Sequence, residues 1–204
     1  MATTLYLIRH GETEGAEERR YKGSLDVPLS ADGKRRMAAV GMRLANVRFD
    51  AIYASPLSRA LKSAELVAAP QGIAPTVVEP LRERNFGRWE GLTFDECRAG
   101  FPDEFNAWFQ KPLTSSPVGG ESTLDVRARV VPALTEILRR HNGGGNIAVV
   151  AHGGVNRIIL CELLGMPLEN IFRVEQNFGA VNIIELWDEV PVVNLLNGIA
   201  ENAL

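Results

Sequence analysis

The sequence predicts a three-layer α/β/α sandwich on a mostly parallel central sheet, and two observations carry that expectation. Short apolar runs rich in β-branched residues alternate with amphipathic stretches of helical length, the signature of successive strand and helix units. Two of those runs, near residues 5–8 and 147–151, break off into a histidine followed by a glycine, His10-Gly11 and His152-Gly153. Open α/β sheets bind ligands in the crevice beyond the carboxyl ends of their strands. The chain has three histidines in 204 residues, so two with this matched setting predict that the first and the late strand are parallel neighbours whose imidazoles meet.

The elements follow in order. Leu5-Tyr6-Leu7-Ile8 reads as a buried strand that exits at Arg9-His10-Gly11-Glu12-Thr13. Residues 12–26 are polar, carry Arg19, Arg20 and Lys22, and read as a solvated loop. Ser30 is placed to cap a helix whose apolar positions Met37, Val40, Gly41 and Leu44 recur at helical spacing. Asp50 to Ala54 is a short strand running into Ser55-Pro56-Leu57-Ser58-Arg59, read as a helix start with proline in its first turn. Arg59 then lies at the positive end of a helix dipole, a position that makes sense beside an anion.

Thr76 to Val78 is a fourth short strand, and Glu83 follows it between Arg82 and Arg84. From Leu92 to about Glu121 the texture changes to aromatics interleaved with charges, prolines and glycines. This reads as two short helices and a loop inserted over the sheet as a lid, with most aromatics anchoring the insertion. Ser122 caps a long helix through Val126, Val130, Leu134 and Ile137, ending at His141 and Gly143-Gly144-Gly145. The strand 147–151, then His152-Gly153-Gly154 and a helix through Ile158, Ile159, Leu163 and Leu164 ended by Gly165 and Pro167, and a closing hairpin of residues 180–187 and 190–196 around Asp188-Glu189 complete the chain. The expectation is one domain, residues 1–204, with a lid-like insertion at about 92–121.

Composition narrows the partners. A formal net charge of -3 gives no long-range attraction for nucleic acid or anionic lipid, so an anion site has to be local. Cys97 and Cys161 have neither CxxC nor metal-ligand spacing, which predicts buried, reduced thiols. With no signal-peptide pattern and no apolar run of membrane-spanning length, the expected location is the cytoplasm.

Four features end on one side of the predicted sheet: Arg9-His10, Arg59, Glu83 and His152-Gly153. Two guanidiniums, one imidazolium and the backbone amides of a glycine turn suit the oxygens of a phosphoryl group. The other imidazole, kept neutral by nearby arginines, suits a nucleophile, and Glu83 is the available acid. The HG dipeptides lack zinc-ligand spacing, and GxxxxGK[ST], GxGxxG and GxSxG are all missing from the sequence.

At these residues the chain resembles the histidine phosphatase superfamily, also called the phosphoglycerate mutase-like family. The resemblance is carried by Leu7-Ile8-Arg9-His10-Gly11-Glu12-Thr13, Ser55-Pro56-Leu57-Ser58-Arg59-Ala60, residues 81–91, Gly119-Gly120-Glu121-Ser122 and Ala151-His152-Gly153-Gly154. It implies that His10 becomes a phosphohistidine, that Arg9, Arg59, His152 and the Gly153 amide hold the phosphate, and that Glu83 is the proton donor. It also implies no metal and no organic cofactor. Many members carry asparagine six residues after the first histidine, where this chain has Ala16.

Residues 21–30 and 85–91 look most like the small bacterial alpha-ribazole phosphatases of cobalamin assembly. The implied activity is therefore a phosphomonoesterase acting on alpha-ribazole 5'-phosphate or on small phosphomonoesters more broadly. A cofactor-dependent phosphoglycerate mutase and a non-catalytic phospholigand-binding module are the alternatives. The expected partner is a small-molecule phosphomonoester, with no nucleic acid and no membrane, and the sequence leaves a homodimer open.

Overall fold

The computed structural model describes residues 2–187 and 190–199. It contains a six-stranded sheet with helices on both faces. The elements that position the site are β1 (Thr3–Arg9), α1 (Ala31–Arg43), β2 (Ala51–Ala54), α2 (Ser58–Ala68), β3 (Thr76–Val77), α3 (Phe94–Gly100), α4 (Pro102–Gln110), α5 (Thr123–Arg140), β4 (Gly145–Ala151), α6 (Gly153–Leu163), β5 (Val181–Trp187) and β6 (Val190–Gly198). The strand order is β3-β2-β4-β1-β5-β6. Pairs β1/β4, β2/β4 and β2/β3 are parallel, while β5 runs antiparallel to β1 and to β6.

Side-chain alternation along the two central strands sorts the core into two layers. Leu5, Leu7, Ile147, Val149 and Ala151 face α5 and α6, where they pack with Val126, Val130, Leu134 and Ile159. Tyr6, Ile8, Ala148 and Val150 face α1 and α2, against Met37, Val40, Ala64 and Val67. Both faces are covered, which is why these strands read as continuous apolar runs. No helix among the described residues is long and apolar enough to cross a membrane.

Several boundaries differ from the sequence reading. Helix α2 begins at Ser58 with Leu57 as its cap, so Pro56 precedes the helix instead of occupying its first turn. Ser55 is held to the sheet by its N–H, which donates to Val150 O, one residue beyond the end of β2. Gly145 belongs to β4 instead of to the glycine breaker, with its neighbour Asn146 paired to Thr4. The turn expected at Asp188-Glu189 lies outside the described residues, although β5 and β6 pair as the hairpin predicts. Cys97 and Cys161 are both free and buried.

The insertion forms two short helices, α3 and α4, followed by a loop to Glu121. Thr93 and Glu96 close a reciprocal capping box on α3, which fixes where the insertion turns into helix. Trp89, Cys97 and Phe105 are buried as a separate small cluster, with Tyr21, Phe86, Phe101 and Trp108 packed round it. The aromatics therefore anchor the insertion mainly to one another and to Tyr21, Phe86 and Trp89. Phe94 and Phe109 stay exposed.

Candidate functional site

The register of β1 against β4 pairs Arg9 with Ala151. His10 and His152 are each the next residue, so the two chains leave the sheet side by side and the His10 N–H still donates to Ala151 O at 3.0 Å. The imidazole centroids are 5.1 Å apart, as the matched motifs predict. Both rings are buried.

The hydrogen bonds on each ring define its chemistry. His10 Nδ1 lies 2.7 Å from Gly11 O; a carbonyl can only accept, so Nδ1 carries the proton and Nε2 keeps its lone pair. His152 Nε2 lies 2.7 Å from Ser55 Oγ, and Ser55 Oγ accepts a long bond from the Leu57 N–H at 3.4 Å. In the tautomer in which Ser55 Oγ donates into Nε2, the His152 proton sits on Nδ1. That Nδ1 is buried with no partner among the described residues, and so is Arg9 Nε. Buried donors left unmade are expensive, and an oxyanion between these groups would satisfy both.

Burial is the main cause that holds His10 well below the usual histidine range, with the Arg9 and Arg59 guanidiniums adding to it. Burial also dominates for His152, followed by His10, Arg59 and Arg9. Both rings are therefore neutral near pH 7. Arg9 is pushed down to about 10, first by burial and against the pull of Glu83; it stays charged.

Arg59 is 2 % exposed, and its fork donates to Leu25 O and Gly23 O, both at 2.7 Å. Its partners are neutral carbonyls from the loop before α1, so its charge is not cancelled by a carboxylate contact. Arg9 lies over the Phe178 ring, 4.0 Å from its centroid, and donates to Gln176 O. Glu83 receives the Arg84 N–H at 2.9 Å and the Gly154 N–H at 3.2 Å. A Cβ on residue 154 would stand 2.7 Å from Glu83 Oε1, so glycine there lets the carboxylate reach the start of α6.

Arg9, His10, Arg59 and Glu83 thus line one cavity of about 380 Å³, with His152 against His10 and Gly153 beside Arg9. All six residues singled out in the sequence are brought together. The same cavity is lined by Ala16, Arg19 and Lys22, from the stretch read as a solvated loop. Lys22 Nζ donates to Thr13 Oγ1 and Glu14 O, each at 2.6 Å. Charge alone could not separate these residues from ordinary surface cations.

Other residues of the site have little or no sequence signal. Arg129 on α5 donates to Pro80 O, Arg82 O and Glu83 O at 2.6, 2.7 and 3.1 Å and pairs with Glu121, so it pins the loop that presents Glu83. Its only hint was a cation beside the apolar positions Val126 and Val130. Gln176 and Asn182 hold each other by paired amide bonds at 2.8 and 2.9 Å, which steadies the segment carrying Phe178. No feature of residues 176–178 announces that role.

Residues 5–198 match the family model of the histidine phosphatase superfamily (branch 1). The chain belongs to the histidine phosphatase superfamily. Phosphoserine phosphatase 1 of Hydrogenobacter thermophilus is 30% identical over 193 residues, covering 95% of this chain and 91% of that protein. A 2,3-bisphosphoglycerate-dependent phosphoglycerate mutase of Mesorhizobium japonicum is 34% identical over 192 residues, covering 91% of this chain and 93% of that one. Among solved structures, the alpha-ribazole phosphatase of Shigella flexneri superposes with a TM-score of 0.90 at 28% identity, over 96% of each chain. This member of the superfamily is therefore similar to proteins named for three different substrates.

Proposed function

We propose that this histidine phosphatase hydrolyses small-molecule phosphomonoesters through a phosphoenzyme formed at His10. The observation that carries the reading is the pairing of a neutral His10, its Nε2 free, with unpartnered buried donors on Arg9 and His152. Arg9, Arg59, His152 Nδ1–H and the Gly153 amide hold the three phosphoryl oxygens. His10 Nε2 attacks phosphorus as the ester P–O bond breaks, and Glu83 gives its proton to the departing oxygen. Glu83, now a carboxylate, takes a proton from water as that water attacks the phosphohistidine. His10 is regenerated, inorganic phosphate leaves, and Glu83 is again an acid.

An alpha-ribazole ester is a second reading of the substrate, supported by the aromatic wall of Tyr21, Phe86 and Trp108 beyond Glu83. A mutase uses the same first half-reaction and differs in returning the phosphoryl group to the product instead of to water. A non-catalytic ligand-binding module is disfavoured because nucleophile, acid and oxyanion donors converge. The test is turnover of p-nitrophenyl phosphate by wild type and His10→Ala. The expected loss is about 10⁴-fold or more, since a nucleophile acts with its partners as a unit; equal rates overturn the reading. Phosphate release without formation of 2-phosphoglycerate from 3-phosphoglycerate and 2,3-bisphosphoglycerate separates the phosphatase from the mutase.

A further inference from the structure

Glu83 stands where two cavities meet. The one that holds His10 and a second of about 360 Å³ share Arg9, Tyr21, Glu83 and Phe86 as walls. If Glu83 protonates the departing oxygen, the alcohol half of the ester lies in this second compartment, and proton delivery depends on where one carboxyl points. That carboxyl is carried by a loop, so groups outside the sheet have to hold it.

The peptide that joins Glu83 to Arg84 is bonded at both of its polar atoms. Its N–H, on Arg84, donates to Glu83 Oε1 at 2.9 Å, so the acid is held by the peptide that follows it. Its carbonyl, on Glu83, accepts from Arg129 Nη2 at 3.1 Å. The amide is planar, so turning it to break one bond disturbs the other. A guanidinium on the carbonyl also makes the N–H a stronger donor, since hydrogen bonds in a chain polarise one another. Arg129, on α5, thus reaches the acid's oxygen through one rigid plane.

Arg129 has no spare donor. A guanidinium carries five N–H groups, and all five are used. Nε and one Nη2 hydrogen go to Glu121 Oε1 and Oε2 at 2.8 and 2.9 Å, Nη1 goes to Pro80 O and Arg82 O at 2.6 and 2.7 Å, and the other Nη2 hydrogen goes to Glu83 O. The two charged side chains are only 14% and 19% exposed. Glu121 Oε2 accepts the Asn85 N–H at 2.9 Å, and the Glu121 N–H donates to Asn85 O at 2.8 Å. The residue that ends the insertion therefore holds Arg129 on one side of the acid and Asn85 on the other. A fork with every hydrogen engaged is preorganised.

We propose that Arg129 is a positioning residue for proton delivery, a role that rests on the phosphatase reading: it fixes the peptide after Glu83, that peptide fixes the carboxyl, and Glu121 fixes Arg129. Arg129 touches neither the phosphoryl group nor the alcohol. Its loss should therefore be felt by esters whose leaving oxygen needs a proton, and hardly by those whose leaving oxygen does not.

The test measures single-turnover phosphoenzyme formation from phenyl phosphate and p-nitrophenyl phosphate, alike except for the nitro group that lets p-nitrophenolate leave without a proton. Rates are taken per site phosphorylated, so unfolded protein does not count. Arg129→Gln should slow transfer from phenyl phosphate about ten- to a hundredfold, the cost of a misplaced catalytic group, and from the p-nitrophenyl ester by less than about threefold. Arg129→Lys, with three donors in place of five, should recover part of the loss. In a Glu83→Gln background, Arg129→Gln should cost less than about threefold for either ester, because a residue that acts through the acid then has nothing to place. Equal slowing of both esters, or the full loss repeated in the Glu83→Gln background, overturns the inference.

Should Arg129→Gln not fold, Glu121→Gln carries the test. It removes the charge that holds the fork but still accepts the Asn85 N–H, and it should slow phenyl phosphate alone, by about three- to tenfold. Slowing of both esters alike, or of neither, contradicts the proposal. Wild type that is phosphorylated by the p-nitrophenyl ester alone defeats this inference only; wild type phosphorylated by neither defeats the phosphatase reading with it.

Discussion

The two cavities that meet at Glu83 are made of different material. The cup around His10 is built at the ends of β1 and β4, where the parallel ladder fixes both histidines and each ring has one nitrogen tied, to Gly11 O or to Ser55. The compartment beyond Glu83 is walled by helix faces, by Phe172 and by Trp108 of the α3–α4 insertion, whose core is a small aromatic cluster of its own. Sheet ends supply geometry that hydrogen bonds and packing hold from several directions; an insertion supplies a wall that can vary without disturbing the ladder. Changes in the cup should therefore slow every ester, whereas changes in the compartment should reorder them.

The sharpest way to break this contrast is Glu83→Gln, because Glu83 belongs to both regions. Losing the acid should slow an alkyl phosphate about 10²- to 10⁴-fold. A p-nitrophenyl ester should lose much less in phosphoenzyme formation, since p-nitrophenolate leaves without a proton. Equal losses in single-turnover burst kinetics would remove Glu83 from the leaving-group side.

Next in size is Ser55→Ala, which leaves all cavity-lining groups in place but frees His152 Nε2. Loss of the hydroxyl that fixes the tautomer should lower kcat about tenfold for alkyl and aryl esters alike. A change in KM alone, or in one ester alone, would mean that Ser55 does not act through His152. Smaller still, Trp108→Ala should change the ranking of esters by about three- to tenfold, the worth of an aromatic contact, with little change in the maximal rate for p-nitrophenyl phosphate. A uniform loss for every ester would show that the insertion supports the cup as well.

The buried histidines also predict a pH dependence of stability. Their native pKa values are lowered, while an unfolded histidine titrates near ~6.5. Below that pH the unfolded chain gains protons that the native chain refuses, so stability falls as pH falls, by up to about 1.4 kcal/mol per pH unit for each ring. Denaturant unfolding between pH 7.5 and 5.5 should show that slope, and inorganic phosphate should flatten it by favouring a protonated ring.

The legible part of the molecule divides along the same line. Strand ends and their histidines could be read because a buried parallel strand is an apolar run, and a charged residue at its end has few structural reasons to be there. Arg59 and Glu83 were legible for the same reason, as polar residues just past a strand. Arg84 and Arg157 carry no such signal, because their place beside Glu83 depends on how a loop and a helix face turn toward it. Phe178 and Gln176 reach Arg9 from the segment before β5 through contacts about 167 residues distant in sequence, and no local pattern encodes such a meeting. Proline chemistry alone places Pro56 in the first turn of a helix, but the bond from Ser55 to Val150 holds the preceding residue to the sheet and α2 starts at Ser58.

The central claim is that His10 Nε2 is the atom that receives the phosphoryl group. Rapid quenching of wild type during turnover of a labelled phosphomonoester, followed by mapping of acid-labile, base-stable phosphate, tests it directly. Label on His10, at up to one equivalent and absent from His10→Ala, is the predicted result. Turnover with no label, or with label on another residue while His10→Ala remains active, would contradict it.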